Sequence, residues 1–297
     1  MFSIKLNDND QIVISVRGRN YPHITQIAAS VIGREKEFST YVCPKLPISA
    51  SAEKVTGIIL HNSGTMTVHG QEVHAEKLTV AIKEFCRWLK QHSGVFLIAH
   101  NGRKFDFPIL MSALINIRCE ALFFESILGL IDSISVLKKA FPAQSSYKQD
   151  ELAKVFLGTS YDAHNAMEDV RILGKLISHT KMDTHEIAAH SFPPSAVFNQ
   201  LRFNREKAKN INSLHPLIAK GIIKMPTAEN VAGSGLCLNH LFKIYQREGE
   251  DGVRNTFVCK NSEGQPRVTS MKKTLDDVIP KLGQFFSSDS FLKPSGL

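Results

Sequence analysis

The fold of this chain is decided around the stretch IAHNGRKFDFP at residues 98–108. The apolar run Val95–Ala99 predicts a buried strand, and Leu110 and Leu114 further along have helical spacing. Asp106 therefore follows a buried strand and begins a helix. Its carboxylate is expected at a sheet edge, where hard oxygen ligands can bind a divalent cation. A simpler role, as the N-cap of that helix, is also open.

The segments outward from this stretch predict an α/β domain. The runs Ile12–Val16, Ile24–Ile32 and Phe38–Cys43 are rich in strand-forming residues and predict an antiparallel meander. Helical and strand-like patterns then alternate, which indicates a mixed sheet flanked by helices and ending near residue 180. The alternating segments are Glu76–His92, Val95–Ala99, Ile127–Ile131, a helix with Asp132 or Ser133 as N-cap, Lys148–Leu157 and Ala166–Ser178.

Beyond residue 185 the pattern changes to short helices separated by Pro and Asn. We expect helices over residues 213–222, 228–232, 236–247 and 273–286, a loop over 248–252, and a frayed tail from Ser287. The chain is therefore divided into an α/β domain, residues 1–184, and a smaller, mainly helical region, residues 185–297.

The composition is that of an ordinary globular protein, with 43% apolar and 22% charged residues in 297. Neither a leader peptide nor a membrane-spanning run is evident, so we expect an intracellular protein of the nucleus or cytoplasm without a membrane partner. The 5 cysteines are scattered and form no C-x-x-C pair, which argues against a disulfide framework and a structural zinc site. The formal net charge of +8 favours a polyanionic partner such as nucleic acid.

A second candidate pair, His164 and Asp169, lies in the segment HNAMED at residues 164–169. Their spacing separates them by about 140° around an ideal helix. They can share a site only if His164 lies in the loop before the helix and Asp169 lies on its first turns. A loop histidine there can act as general base for an attacking water. The alternative is an ordinary surface histidine, since the chain contains 12.

Short motifs in a fixed order over residues 11–180 resemble the DEDDh superfamily of 3′→5′ exonucleases, whose fold is ribonuclease H-like. Segment 98–108 and the triplet Asp132-Ser133-Ile134 are most similar to the three-prime repair exonucleases in that superfamily. The other matching motifs are Ile24–Ala29, Tyr41–Pro44, Val55–Ile58, Asp150–Ala153, and His164 with Asp169. The resemblance implies a two-metal site for Mg²⁺ or Mn²⁺ and the 3′ ends of DNA or RNA as substrates. In this site Asp106 and Asp169 would be metal ligands, and His164 would be the general base.

The same resemblance implies a set of nucleic-acid contacts. Gly57 and Ile58 would border the pocket for the 3′-terminal nucleotide, or they form only a turn with an apolar anchor. Arg103 and Lys104 would form an electropositive rim near the scissile phosphate, or they belong to a solvated loop. The full set of expected contacts is Gly57, Ile58, His100, Asn101, Arg103 and Lys104.

The first motif departs from the superfamily pattern. Where the superfamily has Asp-x-Glu, alignment through residues 24–26 gives Ser15 and Arg17, or their immediate neighbours. A hydroxyl and a cation thus replace two carboxylates. Arg17 could pair with Asp106 or Asp169 and occupy the place of a metal ion.

In an alternative register Phe2–Leu6 is the first strand and Asp8 and Asp10 are the ligands. That register leaves Ile12–Val16 as an unexplained extra strand. We therefore expect a nucleic-acid-binding protein with an exonuclease fold, whose degraded two-metal site makes it weak or inactive as a nuclease. Two other functions stay open: an active metal-dependent 3′→5′ exonuclease, and a protein-interaction module.

The C-terminal region has a resemblance of its own. Ser213–Leu217 followed by Leu236–Leu241 is similar to the C-terminal region of the longest isoform of the promyelocytic leukaemia protein and to its stand-alone fish relatives. The same region contains a basic cluster, which is either one solvated helix face or a phosphate-binding surface. Its members are Arg202, Arg205, Lys207 and Lys209.

Overall fold

The computed structural model describes residues 11–19, 23–92, 94–161, 165–261 and 264–288, with the backbone alone for residues 11–19 and 23. The chain forms two compact units, Met1–Phe198 and Asn199–Leu297. The boundary expected between residues 184 and 185 lies within the first of these units. The observed division falls inside a helix, Pro194–Asn210.

The first unit contains the strands. They are β1 (Gln11–Arg19), β2 (His23–Val31), β3 (Glu37–Cys43), β4 (Ile58–Leu60), β5 (Met66–Val68), β6 (Gln71–Val73), β7 (Ala75–Lys77), β8 (Phe96–Ala99), β9 (Gly129–Asp132) and β10 (Ser191–Phe192). A seven-stranded sheet has the order β10-β9-β8-β1-β2-β3-β7. Strands β4, β5 and β6 form a separate three-stranded sheet.

The centre of the large sheet is β1, which pairs with β2 on one side and with β8 on the other. The predicted meander is confirmed, because β1, β2 and β3 pair antiparallel in chain order. Strands β8 and β9 run parallel to β1. Since parallel strands end on the same side, the carboxyl ends of β1, β8 and β9 meet at one edge of the sheet. We call this the carboxyl edge, and the turn that leads to Asp106 lies there.

The expectation that the sheet ends near residue 180 is wrong. The edge strand β10 comes later in the chain and pairs antiparallel with β9, Ser191 opposite Ile131 and Phe192 opposite Leu130. A strand of two residues has no alternation that a sequence pattern could reveal. Its position in the sheet is fixed by contacts with residues distant in the chain.

The helices flank the sheet in the first unit and make up the second. They are α1 (Ala50–Thr56), α2 (Leu78–Leu89), α3 (Asp106–Ile117), α4 (Glu120–Phe124), α5 (Ser133–Ala140), α6 (Gln149–Leu152), α7 (Ala166–His179), α8 (Thr184–Ala188), α9 (Pro194–Asn210), α10 (His215–Ala219), α11 (Met225–Gly233), α12 (Leu238–Val258) and α13 (Lys272–Ser287). A π-helical turn follows α6 at Ala153–Leu157, and a 3₁₀ turn precedes α10 at Ile211–Leu214. None of the described helices combines the length and apolar character needed to cross a membrane.

Apolar residues at helical spacing attach the helices to the sheet, as the sequence predicts. Helix α2 buries Ile82, Phe85 and Leu89, and α7 buries Val170 and Leu173. Burial of such side chains contributes roughly 1.5–3 kcal/mol each. Helices thus pack against the mixed sheet, which confirms a ribonuclease H-like α/β fold.

The second unit has its own apolar core, built from the 3₁₀ turn Ile211–Leu214, helices α10 to α13 and the segments between them. The expected loop over residues 248–252 is wrong, because α12 continues to Val258 with a break at Gly249 (φ 61°, ψ −153°). The reason lies beyond the loop-like residues. Val253 and Phe257 are one turn apart and fully buried, so the core holds the second half of this helix. Residues 289–297 of the expected tail lie outside the described residues.

Candidate functional site

The turn after β8 delivers Asp106 to the carboxyl edge. Asn101 has a left-handed backbone (φ 52°), and its carbonyl accepts hydrogen bonds from the N–H groups of Lys104 and Phe105 at 3.0 and 3.2 Å. A Cβ on Gly102 would lie 2.6 Å from the Phe107 ring, so a side chain there is excluded. Phe105 occupies the N-cap position of α3 without a side-chain cap. The N-cap interpretation of Asp106 is therefore wrong: it is the first helical residue, and its side chain is 9% exposed.

Helix α7 carries Asp169 close to its amino end. Asn165 is its N-cap and accepts hydrogen bonds from Met167 N–H and Glu168 N–H at 2.9 and 3.4 Å. Asp169 lies on the first turn, as expected, and is 9% exposed. A carboxylate on the first turn is stabilised by the helix dipole. His164, the expected general base, lies outside the described residues.

Both helices pack on β1, the strand that contains the departing motif. Contacts join α3 and α7 to β1. In the register of β1 with β2, Ser15 is opposite Ala28 and Arg17 is opposite Gln26. The Gln26 side chain is 3% exposed, and its Oε1 accepts a hydrogen bond from the Ala166 N–H, the first residue of α7, at 3.1 Å. The side chains of Ser15 and Arg17, and with them the expected Arg17 ion pair, lie outside what is described.

His100, directly after β8, forms a hydrogen bond with Ser133, directly after β9. His100 Nδ1 lies 2.9 Å from Ser133 Oγ. Burial lowers the pKa of His100, and the opposing effect of the nearby Asp132 carboxylate is smaller. The imidazole is therefore neutral near pH 7, which suits a hydrogen-bonding role and not that of a cation.

Asp132 is a third buried carboxylate at the carboxyl edge, 8% exposed. It is the N-cap of α5, as expected, and its Oδ1 accepts a hydrogen bond from Ile134 N–H at 3.0 Å. Its Oδ2 accepts a second hydrogen bond, from Arg103 N–H at 3.1 Å. Each oxygen thus holds one backbone N–H, which gives Asp132 a structural role at this edge.

The two basic residues of the turn differ in their surroundings. Arg103 and Lys104 are both exposed. The Arg103 guanidinium carbon lies 3.5 Å from the centre of the Phe192 ring, on strand β10. The sequence provides no local signal for this pair, because 89 residues separate its members.

The two residues predicted to border the nucleotide pocket are a turn glycine and a buried isoleucine. Gly57 is the C-cap of α1 (φ 68°), and its carbonyl accepts a hydrogen bond from His69 N–H at 2.9 Å. Ile58 is 2% exposed and packs as an apolar anchor, whereas the next residue, Ile59, is 38% exposed. His69, which the sequence does not single out, contacts Gly57 with its ring.

The basic cluster of the C-terminal region lies on α9. Lys207 pairs with Glu229 at 3.5 Å. The other members, Arg202, Arg205 and Lys209, are exposed.

The described side chains do not by themselves fit a two-metal cluster. Such a cluster needs several carboxylates converging on two cations. Asp106 and Asp169 are two buried carboxylates, and Asp132 accepts a backbone hydrogen bond on each of its oxygens. Within the described part of the chain, no group of three or more His, Cys, Asp or Glu side chains is arranged to hold a metal ion. The alternative ligands Asp8 and Asp10 lie outside it.

Comparison with known proteins gives two family matches. Residues 11–177 match the family described as exonuclease, and residues 210–289 match the family described as the PML C-terminal domain. Three-prime repair exonuclease 1 from Bos taurus and from Homo sapiens are each 27% identical to the chain over 146 residues. Each of these alignments covers 46% of this chain and 44% of the relative. The chain thus spans less than half the length of these curated relatives.

Among solved structures, similar chains include E. coli exonuclease I. The zinc-bound form in complex with single-stranded DNA has a TM-score of 0.48 and 16% identity, covering 74% of this chain and 46% of that chain. A structure of exonuclease I that addresses processivity has a TM-score of 0.48 and 15% identity, and the match covers 75% of this chain and 50% of that chain. The family match is the stronger finding, because it covers more than half of the residues. The chain belongs to the exonuclease family.

Proposed function

We propose that this chain is a nucleic-acid-binding member of the exonuclease family that hydrolyses phosphodiesters slowly or not at all. The observation that carries the proposal is the register of β1. Ser15 and Arg17 are opposite Ala28 and Gln26, and Gln26 holds the first residue of the helix that contains Asp169. The two positions of the departing motif therefore adjoin the helix of a candidate metal ligand.

The substitutions at these positions change the local charge. An Asp-x-Glu motif would contribute two negative charges, whereas Ser15 and Arg17 contribute one positive charge. A Mg²⁺ ion depends on carboxylate oxygens for its binding energy, so its affinity is expected to fall by several kcal/mol. An arginine next to two buried aspartates can neutralise them in place of a metal. In this proposal Arg17 pairs with Asp106 or Asp169.

The distribution of charge supports a nucleic-acid partner. The second unit, residues 199–297, has 15 Lys and Arg against 9 Asp and Glu, whereas residues 1–198 have 21 against 19. Six of the eight net positive charges therefore lie in the second unit, which contains the region that matches the PML C-terminal domain. Clustered cations release counterions from phosphates on binding, which favours association without reading sequence.

Degradation of single-stranded DNA from its 3′ end, in Mg²⁺ or Mn²⁺, tests the catalytic part of the proposal. Wild type is compared with Asp106→Asn and His164→Ala, and binding is followed separately in EDTA. Salt-sensitive binding with no degradation supports the proposal. Degradation abolished by both substitutions would identify an active metal-dependent nuclease instead. Absence of binding at low salt would favour a protein-interaction module.

A further inference from the structure

We infer that Arg103 is a fixed contact for a nucleic-acid phosphate and that Phe192 is the residue that positions it. The inference rests on the proposed nucleic-acid-binding function and deepens it. Neither residue belongs to the carboxylate set, and Phe192 lies beyond the residues matched by the exonuclease family.

The guanidinium stacks on the ring with its donors left available. Its carbon lies 3.5 Å from the centre of the Phe192 ring, a distance at which the two groups are in van der Waals contact. The N–H donors of arginine point outward in the plane of the group, so stacking on one face does not use them. Among the described residues, none accepts a hydrogen bond from the Arg103 side chain, and no carboxylate pairs with it.

The ring that supports Arg103 is itself immobilised. Phe192 is 8% exposed, and its backbone pairs with Leu130 in the sheet. Its ring meets the Phe107 ring edge-on, with centroids 5.9 Å apart. Phe192 therefore provides a rigid surface to the guanidinium.

The backbone of Arg103 is anchored independently of its side chain. Its N–H donates to Asp132 Oδ2 at 3.1 Å, while Asp132 Oδ1 is held by Ile134 N–H. The preceding residue, Gly102, is packed so closely against Phe107 and Ala99 that it has no room for a Cβ. With both ends fixed, little side-chain entropy is left to lose when a ligand binds.

A second arginine shows what a purely structural guanidinium looks like in this chain. Arg171 donates to both oxygens of Glu37 at 2.9 and 2.8 Å and to Glu168 at 2.8 Å. These bonds raise its pKa and occupy its donors. The Arg103 guanidinium is also held in place, by the Phe192 ring, but it has no such acceptor among the described residues. Its N–H donors can therefore bind an external oxyanion.

The position of the Arg103 guanidinium indicates which kind of oxyanion it binds. Arg103 is three residues before the buried Asp106 at the carboxyl edge, where the proposed function puts the end of a nucleic-acid strand. Guanidinium forks bind phosphate oxygens through two parallel hydrogen bonds. A phosphate of the nucleic-acid backbone therefore satisfies both the charge and the geometry of Arg103.

The test is fluorescence anisotropy with a short labelled single-stranded DNA, in EDTA, over about 50–200 mM salt. We expect Arg103→Gln to weaken binding about ten-fold and to reduce the salt slope by about 0.7, the value for one lost phosphate contact on a single strand. Arg87→Gln is the matched control, because it removes one exposed arginine from α2, away from the carboxyl edge. Arg87→Gln is expected to change neither the affinity for DNA nor the salt slope.

Phe192 is tested with a pair of variants. Phe192→Leu removes the ring and should weaken binding, whereas Phe192→Tyr keeps the ring and should bind like wild type. The double variant Arg103→Gln/Phe192→Leu should bind no more weakly than Arg103→Gln alone, because Phe192 acts only through Arg103. Thermal unfolding of each variant checks that the fold is retained. Phe192→Tyr is the control for substitution at the sheet edge, because it changes residue 192 but keeps the aromatic ring.

The ways in which the inference can fail are distinguishable. If wild type does not bind DNA at low salt, the proposed function and this inference both fall. If wild type binds but Arg103→Gln behaves like Arg87→Gln, only the phosphate contact is refuted. If Arg103→Gln weakens binding while Phe192→Leu leaves it unchanged, the positioning role of Phe192 is refuted.

Discussion

Substitution of Gly57 by alanine tests how tightly the residues of the predicted nucleotide pocket are packed. The size of the expected loss of stability follows from the geometry at Gly57. Gly57 has φ 68°, a conformation that L-residues avoid. A Cβ at this position would lie 2.4 Å from Cε1 of the His69 ring. The His69 backbone N–H also donates to the Gly57 carbonyl at 2.9 Å, so the two residues stay adjacent and the ring can avoid a Cβ only by rotating about its side-chain bonds.

Two terms set the expected loss of stability. The left-handed backbone costs an alanine about 1 kcal/mol. Forcing the His69 ring out of its present rotamer adds about 1–2 kcal/mol. Gly158 measures the backbone cost alone. It is also a helical C-cap with a left-handed backbone (φ 62°), and a Cβ there would meet no described atom within 4 Å. We expect Gly158→Ala to cost about 1 kcal/mol and Gly57→Ala about 2–3 kcal/mol.

The assay is thermal unfolding of both variants and wild type under identical conditions. For a unit of this size the Gly57→Ala loss corresponds to a fall in Tm of roughly 4–12 °C. Adding His69→Asn to Gly57→Ala should recover most of the excess loss, since asparagine is smaller and tolerates a left-handed backbone. Equal losses for Gly57→Ala and Gly158→Ala would refute the steric argument.

Three further predictions follow from the site. Ser15→Asp combined with Arg17→Glu should create Mn²⁺ affinity measurable by calorimetry and 3′-end degradation of single-stranded DNA; no gain in metal affinity would contradict the proposed cause of inactivity. Burial lowers the pKa of His100 in the folded state. The contribution of neutral His100 to stability is therefore complete above the unfolded-state pKa of about 6.5 and is lost as the pH falls below that value. Urea unfolding between about pH 7.5 and 5.5 should therefore show falling stability, with a smaller fall in His100→Asn. Gln26→Ala should cost about 1–3 kcal/mol, because it leaves the buried N–H of Ala166 without its acceptor, and faster amide hydrogen exchange at the start of α7 would show it.

The elements with strong local patterns could be predicted from the sequence. The run before His100 forms the buried strand β8, and the helical spacing after Asn165 forms α7. Asp132 is the N-cap of α5, as its position before a helical stretch indicates. Periodicity and capping operate over a few residues, so the chain itself contains the information they need.

Elements held by distant contacts could not be predicted. Strand β10 has two residues, and its pairing partner lies about sixty residues earlier. The second half of α12 looks like a loop because Glu248–Gly252 is acidic and glycine-rich, yet Val253 and Phe257 are drawn into the core of the second unit. In both cases packing against residues far away in the chain overrides the local preference.

The sequence by itself determined which chemical groups the ordered motifs contain: two aspartates, and a serine and an arginine where carboxylates are expected. These are properties of single positions in ordered motifs, and they can be read without a structure. Only the tertiary structure decided how the groups are used. It engages both oxygens of Asp132 with backbone N–H groups, and it brings Phe192 under the Arg103 guanidinium. Hydrogen bonds and ring stacking depend on ångström-scale distances between residues far apart in the chain, and these distances exist only once the sheet has assembled.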